Sequence, residues 1–186
     1  MLDQLLAFDR QLFLTLNQVG IPAFDPFFLL LSSTYTNVLV YFLIALFLTR
    51  NKGWKSFLAL TLTILLMITI TDQVTNIFKS GFERLRPCYD PLVKDMMRLV
   101  KASCGGRYGF FSGHASNSFA LATFFFLLVR KKYPSLGVLL LLLAAAIAYS
   151  RVYLGVHFPL DIVCGSIFGI GSGLLFGYGY HRFAQP

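Results

Sequence analysis

Charge is what this chain has least of. Only 13% of its 186 residues are charged, and just eight are acidic. The apolar share is 56%, with 20 phenylalanines, more than a soluble domain of this size can hide, so a soluble globular fold is excluded. The carboxylates are scattered, and no group of them suits magnesium. Low-complexity tracts and long-period repeats are absent. Met1, Leu2 and Asp3 lack the basic region of a cleavable signal peptide, so the N-terminus is expected to be retained. The net charge of +8 would suggest nucleic acid in a soluble protein. With no soluble basic domain to carry it, the expected partners are the membrane bilayer and an anionic or phosphorylated lipid, not nucleic acid.

What is present is a series of apolar segments. Residues 27–49, 54–78, 114–129, 135–149 and 162–180 read as membrane helices, given that about 20 residues cross a bilayer. The first carries a polar patch of Ser32, Ser33, Thr34 and Asn37. The second ends with Asp72 and Asn76. Residues 1–20 are too polar to span. Leu2, Leu5, Leu6, Phe13 and Leu16 recur at helical spacing, with Asp9 interrupting the stripe, so this is an amphipathic helix lying in the interface or packed on the bundle. The expected fold is an all-α integral membrane protein: one domain over 1–186, a helical bundle of about five transmembrane helices, or six, plus an N-terminal amphipathic interfacial helix.

Cations set the orientation. Arg50, Lys52, Lys55, Arg130, Lys131, Lys132 and Arg182 fall on one side, which the positive-inside rule makes cytoplasmic. The polar segment 79–113 and the turn 150–161 then share the outer side. Gly165, Gly169, Gly173 and Gly177 recur every four residues, a smooth stripe for close helix contact within the bundle.

Three polar clusters meet on that outer face. Lys79 and Arg86, seven apart, can grip phosphate as a point charge and a two-pronged donor. Ser112 is a natural N-cap, Gly113 lets an oxyanion approach the backbone, and His114 follows at the start of an apolar helix. Arg151, His157 and Asp161 lie between two apolar segments, and a His–Asp spacing of four puts the pair on one helical face if the helix includes both. Singly, each cluster has an ordinary reading: snorkelling flanks, a capped helix with an interfacial histidine, a satisfied buried pair. Jointly they compose a phosphate site.

The pattern of lysine, six residues, Arg-Pro, then Ser-Gly-His, then Ser-Arg, five residues, His, three residues, Asp resembles the type 2 phosphatidic acid phosphatase family. The resemblance runs from Lys79 to Asp161. It implies that Lys79, Arg86, Ser112, Gly113 and Arg151 bind the phosphoryl oxygens. It also implies that His157 is the nucleophile of a phosphohistidine intermediate, Asp161 its orienting partner, and His114 the acid and later the base. The family works without a metal or other cofactor. Phe111 departs from the pattern, since the family has proline there, and this puts the stiffness of that loop in question.

The expectation is a multi-pass lipid phosphatase of the bacterial inner membrane with its site facing the periplasm. Its substrate, a lipid phosphate or diphosphate, would enter sideways from the outer leaflet. Undecaprenyl diphosphate is the first choice; lipid A phosphate, phosphatidylglycerol phosphate and phosphatidic acid are alternatives, as is a lipid phosphotransferase using the same phosphohistidine. Cys88 and Cys104 share the outer loop, where an oxidising periplasm would join them, whereas Cys164 reads as a small core residue.

Overall fold

A computed structural model of the chain describes residues 1–183; residues 184–186, the end of the expected domain, lie outside the described residues. Seven α-helices follow in order: α1 (Leu2–Gln18), α2 (Asp25–Leu31), α3 (Thr34–Thr49), α4 (Trp54–Phe82), α5 (Gly113–Val129), α6 (Pro134–Tyr153) and α7 (Pro159–Phe183). No strand occurs among the described residues; an isolated bridge pairs Leu85 with Tyr108. The protein is an all-α membrane bundle. Helices α4, α6 and α7 are long and apolar enough to cross a bilayer, while α3 and α5 are shorter apolar helices of 10–17 residues.

The expected first span, 27–49, is two helices. It breaks at Ser32 and Ser33, where polar side chains offer the backbone other partners than the helix. Proline sets the starts of α6 and α7, where its missing N–H costs nothing. Helix α4 runs four residues past its expected end and stops at Glu83, whose left-handed backbone (φ 47°) turns the chain into the outer loop.

The glycine stripe of α7 is used inside the bundle. A Cβ at Gly165 or Gly173 would sit 2.6 or 2.5 Å from the carbonyl oxygens of Ser112 and Ala120 on the facing side of α5, and one at Gly169 closer still to that of Ser116. Glycine lets the two backbones touch. This contact fixes the start of α5 against the start of α7.

Helix α1 packs across the outer end. Its inward face is Asp9, Phe13 and Asn17, all buried, while Leu2, Leu5 and Phe8 stay exposed. Asn17 donates to the carbonyls of Arg98, Val152 and Tyr153 at 3.0–3.1 Å and accepts from the Arg98 N–H at 2.7 Å. Phe13 meets Phe158 edge-on at 5.3 Å. The amphipathic helix is thus packed on the bundle as a clamp on the outer loop. Asp9, which interrupts the apolar stripe in sequence, turns out to be central to that clamp.

Candidate active site

The outer loop folds back on itself. The Gly109 N–H donates to the Arg84 carbonyl at 2.8 Å and the Arg86 N–H to the Arg107 carbonyl at 3.1 Å, which lays residues 84–86 beside 107–109. Cys88 and Cys104 are joined by a disulfide, with Cα atoms 6.4 Å apart. Arg86 donates to the carbonyls of Cys104 (3.0 Å) and Tyr108 (3.2 Å), so the bridged loop holds its guanidinium in place. Phe111 is buried against Phe78 and Phe168, with ring centroids 5.1 and 5.2 Å away. Aromatic packing therefore anchors the loop where the family pattern has proline.

Ser112 caps α5 by accepting from the Ala115 N–H at 3.4 Å, and its own N–H donates to the Asp161 carbonyl at 3.0 Å. A side chain at Gly113 would begin 3.9 Å from the Lys79 ammonium, so the glycine leaves backbone open beside that charge. The turn before His157 depends on Gly155. Its φ is +81°, and a Cβ there would press on Met97 and the Arg98 carbonyl at 2.5 and 2.6 Å.

His157 and Asp161 are both buried. Helix α7 begins only at Pro159, so the histidine sits in the turn and the aspartate in the first helical turn, and they still meet: Nδ1 lies 3.4 Å from Asp161 Oδ2. That oxygen also accepts from the Phe158 N–H at 3.0 Å. With Nδ1 so engaged, Nε2 is left for chemistry. Burial, reinforced by the cations Arg86, Arg151 and Lys79, holds the His157 imidazole well below its ordinary value, while a hydrogen bond to the Gly109 backbone opposes the shift. Burial and the cations both favour the neutral ring.

Asp161 is tied further. Arg84 donates to its Oδ1 at 2.7 Å and, through its other terminal nitrogen, to Asp9 Oδ2, while its guanidinium lies 4.6 Å over the Phe158 ring. Asp9 Oδ1 in turn accepts from the Leu160 N–H at 2.9 Å. A chain of contacts therefore runs from α1 through Arg84 to the His–Asp pair.

The cations are not balanced. Lys79, Arg86 and Arg151 all act on His157, and Lys101 joins Arg151 in acting on His114. Arg151 is buried and donates to the Ser32 hydroxyl, yet its Nε has no hydrogen-bond partner. His114 hydrogen-bonds the Ser32 backbone, which places the break between α2 and α3 beside the site. Buried like charges this close are costly, and an anion relieves them. The three sequence clusters thus converge around His157, where the cations Lys79, Arg86 and Arg151 meet the carboxylates of Asp161 and Asp72.

Sequence reasoning missed Arg84, Asp9, Lys101 and Ser32. Two had a signal: Asp9 stands alone on an apolar helical face, and Ser32 lies in a polar patch within an apolar run. Lys101 carried none beyond the basic composition of its loop.

A cavity of about 380 Å³ opens beside His114 and runs inward between α3, α4 and α5, walled by Val38, Phe42, Leu65, Ile68 and Leu121. It joins a polar mouth to an apolar interior.

Residues 58–184 match the family described as the PAP2 superfamily. The chain is 37% identical over 178 residues to a lipid A 4'-phosphatase of Porphyromonas gingivalis, covering 95% of this chain and 73% of that protein. It is 36% identical over 184 residues to a lipid A 4'-phosphatase of Bacteroides thetaiotaomicron, covering 98% and 81%. Among solved structures, Aquifex aeolicus LpxE superposes with a TM-score of 0.68 at 28% identity, covering 89% of this chain and 92% of that one. A PAP2-type phosphatidylglycerolphosphate phosphatase from Bacillus subtilis superposes with a TM-score of 0.74 at 20% identity, covering 98% and 89%, a likeness of fold.

Proposed function

The chain belongs to the PAP2 superfamily and is a membrane lipid phosphatase; from that premise we propose that it removes a phosphate ester from the saccharide head of a lipid A-type glycolipid at the periplasmic face of the inner membrane. The observation that carries the chemistry is a buried His157, held at Nδ1 by Asp161 and set among the cations Lys79, Arg86 and Arg151. The names borne by the two relatives with most of their length matched support the glycolipid, and they displace undecaprenyl diphosphate as first choice.

In this mechanism Lys79, Arg86, Arg151 and the backbone N–H groups at Ser112 and Gly113 hold the phosphoryl oxygens, and they strengthen their grip as charge builds in the transition state. His157 Nε2 attacks phosphorus. The P–O ester bond breaks, its electron pair leaves with the sugar oxygen, and His114 delivers the proton that oxygen needs. His114 then takes a proton from water as that water attacks phosphorus. The N–P bond breaks, inorganic phosphate leaves, and both imidazoles return to their starting state. Asp161 keeps Nδ1 engaged so that Nε2 carries the lone pair. The acyl chains lie in the apolar cavity between α3, α4 and α5, so the lipid enters sideways from the outer leaflet.

The test is phosphate release by detergent-purified protein in EDTA from a lipid A 4'-phosphate, a prenyl diphosphate and a phosphatidic acid. The expected result is release from the glycolipid and a loss of roughly 10³-fold or more in His157→Ala. Equal release from His157→Ala overturns the mechanism; release from the prenyl diphosphate alone overturns the substrate.

A further inference from the structure

Asp72 is a carboxylate inside a membrane helix, and the phosphate chemistry above does not use it. It stands seven residues before Lys79 on α4, hence about 10 Å deeper along the axis at 1.5 Å per residue. Ionisable groups at such depth are costly and are kept for function. No ion pair is formed by Asp72 among the described residues. Instead Asn117 Nδ2 donates to its Oδ1 at 2.8 Å, and Thr71 donates to Asn117 Oδ1 at 2.7 Å. Thr71 is fully buried, so the amide is held with its nitrogen toward the carboxylate. Asp72 is exposed and lines the cavity together with Asn117 and His114.

Position decides what the pair can bind. His114 and Asn117 are three apart on α5 and share a face. A leaving oxygen at His114 therefore places its neighbouring atoms against Asn117 and Asp72. We infer that Asp72 and Asn117 form a subsite for the leaving group, one that accepts hydrogen bonds from hydroxyl or amide N–H groups beside the phosphate-bearing carbon, and so selects a saccharide phosphate. This deepens the glycolipid reading and rests on it. A sugar carries such donors next to its phosphate ester. An alkyl phosphate has none. A prenyl diphosphate brings a second phosphate toward an anionic side chain, a like-charge contact that works against it. An acceptor held in place at the cavity mouth favours a ligand that brings a donor to it over one that lacks the donor.

The experiment measures kcat/KM in detergent with EDTA for two substrates, a glucosamine-disaccharide lipid with a 4'-phosphate and hexadecyl phosphate, in the wild type and in Asp72→Ala, Asp72→Asn and Asn117→Ala. The readout is the ratio of the two constants. Loss of a hydrogen bond to a charged group lowers it roughly tenfold to hundredfold in Asp72→Ala. The two milder variants lower it less, and Asp72→Asn, which keeps the side-chain shape, carries the test if the alanine variant does not fold. Prenyl diphosphate cleavage is expected to rise relative to the saccharide substrate. An unchanged ratio, including one where both constants fall together, overturns the subsite. A wild type that cleaves hexadecyl phosphate and leaves the glycolipid intact overturns the functional reading beneath it.

Discussion

The two ends of the bundle handle charge in opposite ways. At the inner end the turns around residues 50–53 and 130–133 and the end of α7 carry seven cations and no acidic residue. None of the seven forms an ion pair among the described residues; Arg50 and Lys132 lie over the rings of Phe47 and Tyr133 at 4.7 and 5.3 Å. Towards the opposite end lie nine cations and, apart from Asp72 deeper in α4, the carboxylates; the buried ones share contacts, Asp9 and Asp161 with Arg84 and Asp90 with Arg10 at 2.8 Å, while Arg98 holds the half-buried Asp25. An exposed cation orients a helix in the membrane and needs no partner. A buried one must be matched, and where matching is left incomplete, as around Arg151 Nε, the proposed substrate anion completes it.

The sharpest way to break that contrast is at Arg84. Arg84→Ala leaves Asp9 and Asp161, already close enough to repel one another, buried without their shared cation. Removing one partner of a buried ion pair costs about 3–5 kcal/mol. A thermal-unfolding midpoint in detergent should fall accordingly, and phosphate release should fall further because Asp161 loses the contact that sets it against His157. Loss of stability with full activity in the folded fraction would show that the pair holds its geometry without α1. Next in size is the disulfide. Its 16-residue separation corresponds to about 3 kcal/mol by chain entropy. Cys88→Ser should lower the midpoint, make it insensitive to reductant, and raise KM, since the Cys104 carbonyl that holds Arg86 is no longer tethered.

Which parts were readable from sequence follows the same division. Apolar runs are local signals, so the helical bundle was legible. The three polar stretches that the structure brings together around His157 also stood out by their spacing, and the roles given to their residues are part of the proposal above. What was not legible was the support behind them. Arg84 meets Asp9 across 75 residues, and Arg151 meets Ser32 across 119. No period or spacing encodes such contacts; they exist only once the glycine stripe has set α7 against α5. The break at Ser32–Ser33 was hidden because a polar patch in an apolar run reads equally as a helix lining a cavity.

A smaller effect reports on the positive field itself. With His157 held below its ordinary value of about 6.5, the unfolded chain takes up a proton on acidification through that value while the folded chain does not. Stability from this group is therefore present at neutral pH and falls as the pH drops through about 6.5, with the imidazole still neutral in the native state. A ¹⁵N NMR titration of the histidines in micelles should show no protonation of His157 near pH 6.5. Arg86→Gln removes the first of the cations acting on it and should move the titration upward; a titration that does not move would assign the shift to burial alone.

The smallest effect tests the inner end. Lys52 and Lys132 line a cavity of about 180 Å³ with Arg50, Tyr133 and Tyr180, the greatest concentration of unpaired charge away from the site. If their task is orientation, each is exposed and screened, and Lys132→Ala should change the midpoint by no more than about 0.5 kcal/mol and leave phosphate release within twofold. Orientation depends on the sum of the cations near the helix ends, so one substitution leaves six in place. A loss of activity comparable to that of Arg84→Ala would mean that the two ends communicate through α5, whose Gly113 end borders the candidate site and whose Leu128 lines this cavity. The contrast between the ends would then be one of exposure only, not of function.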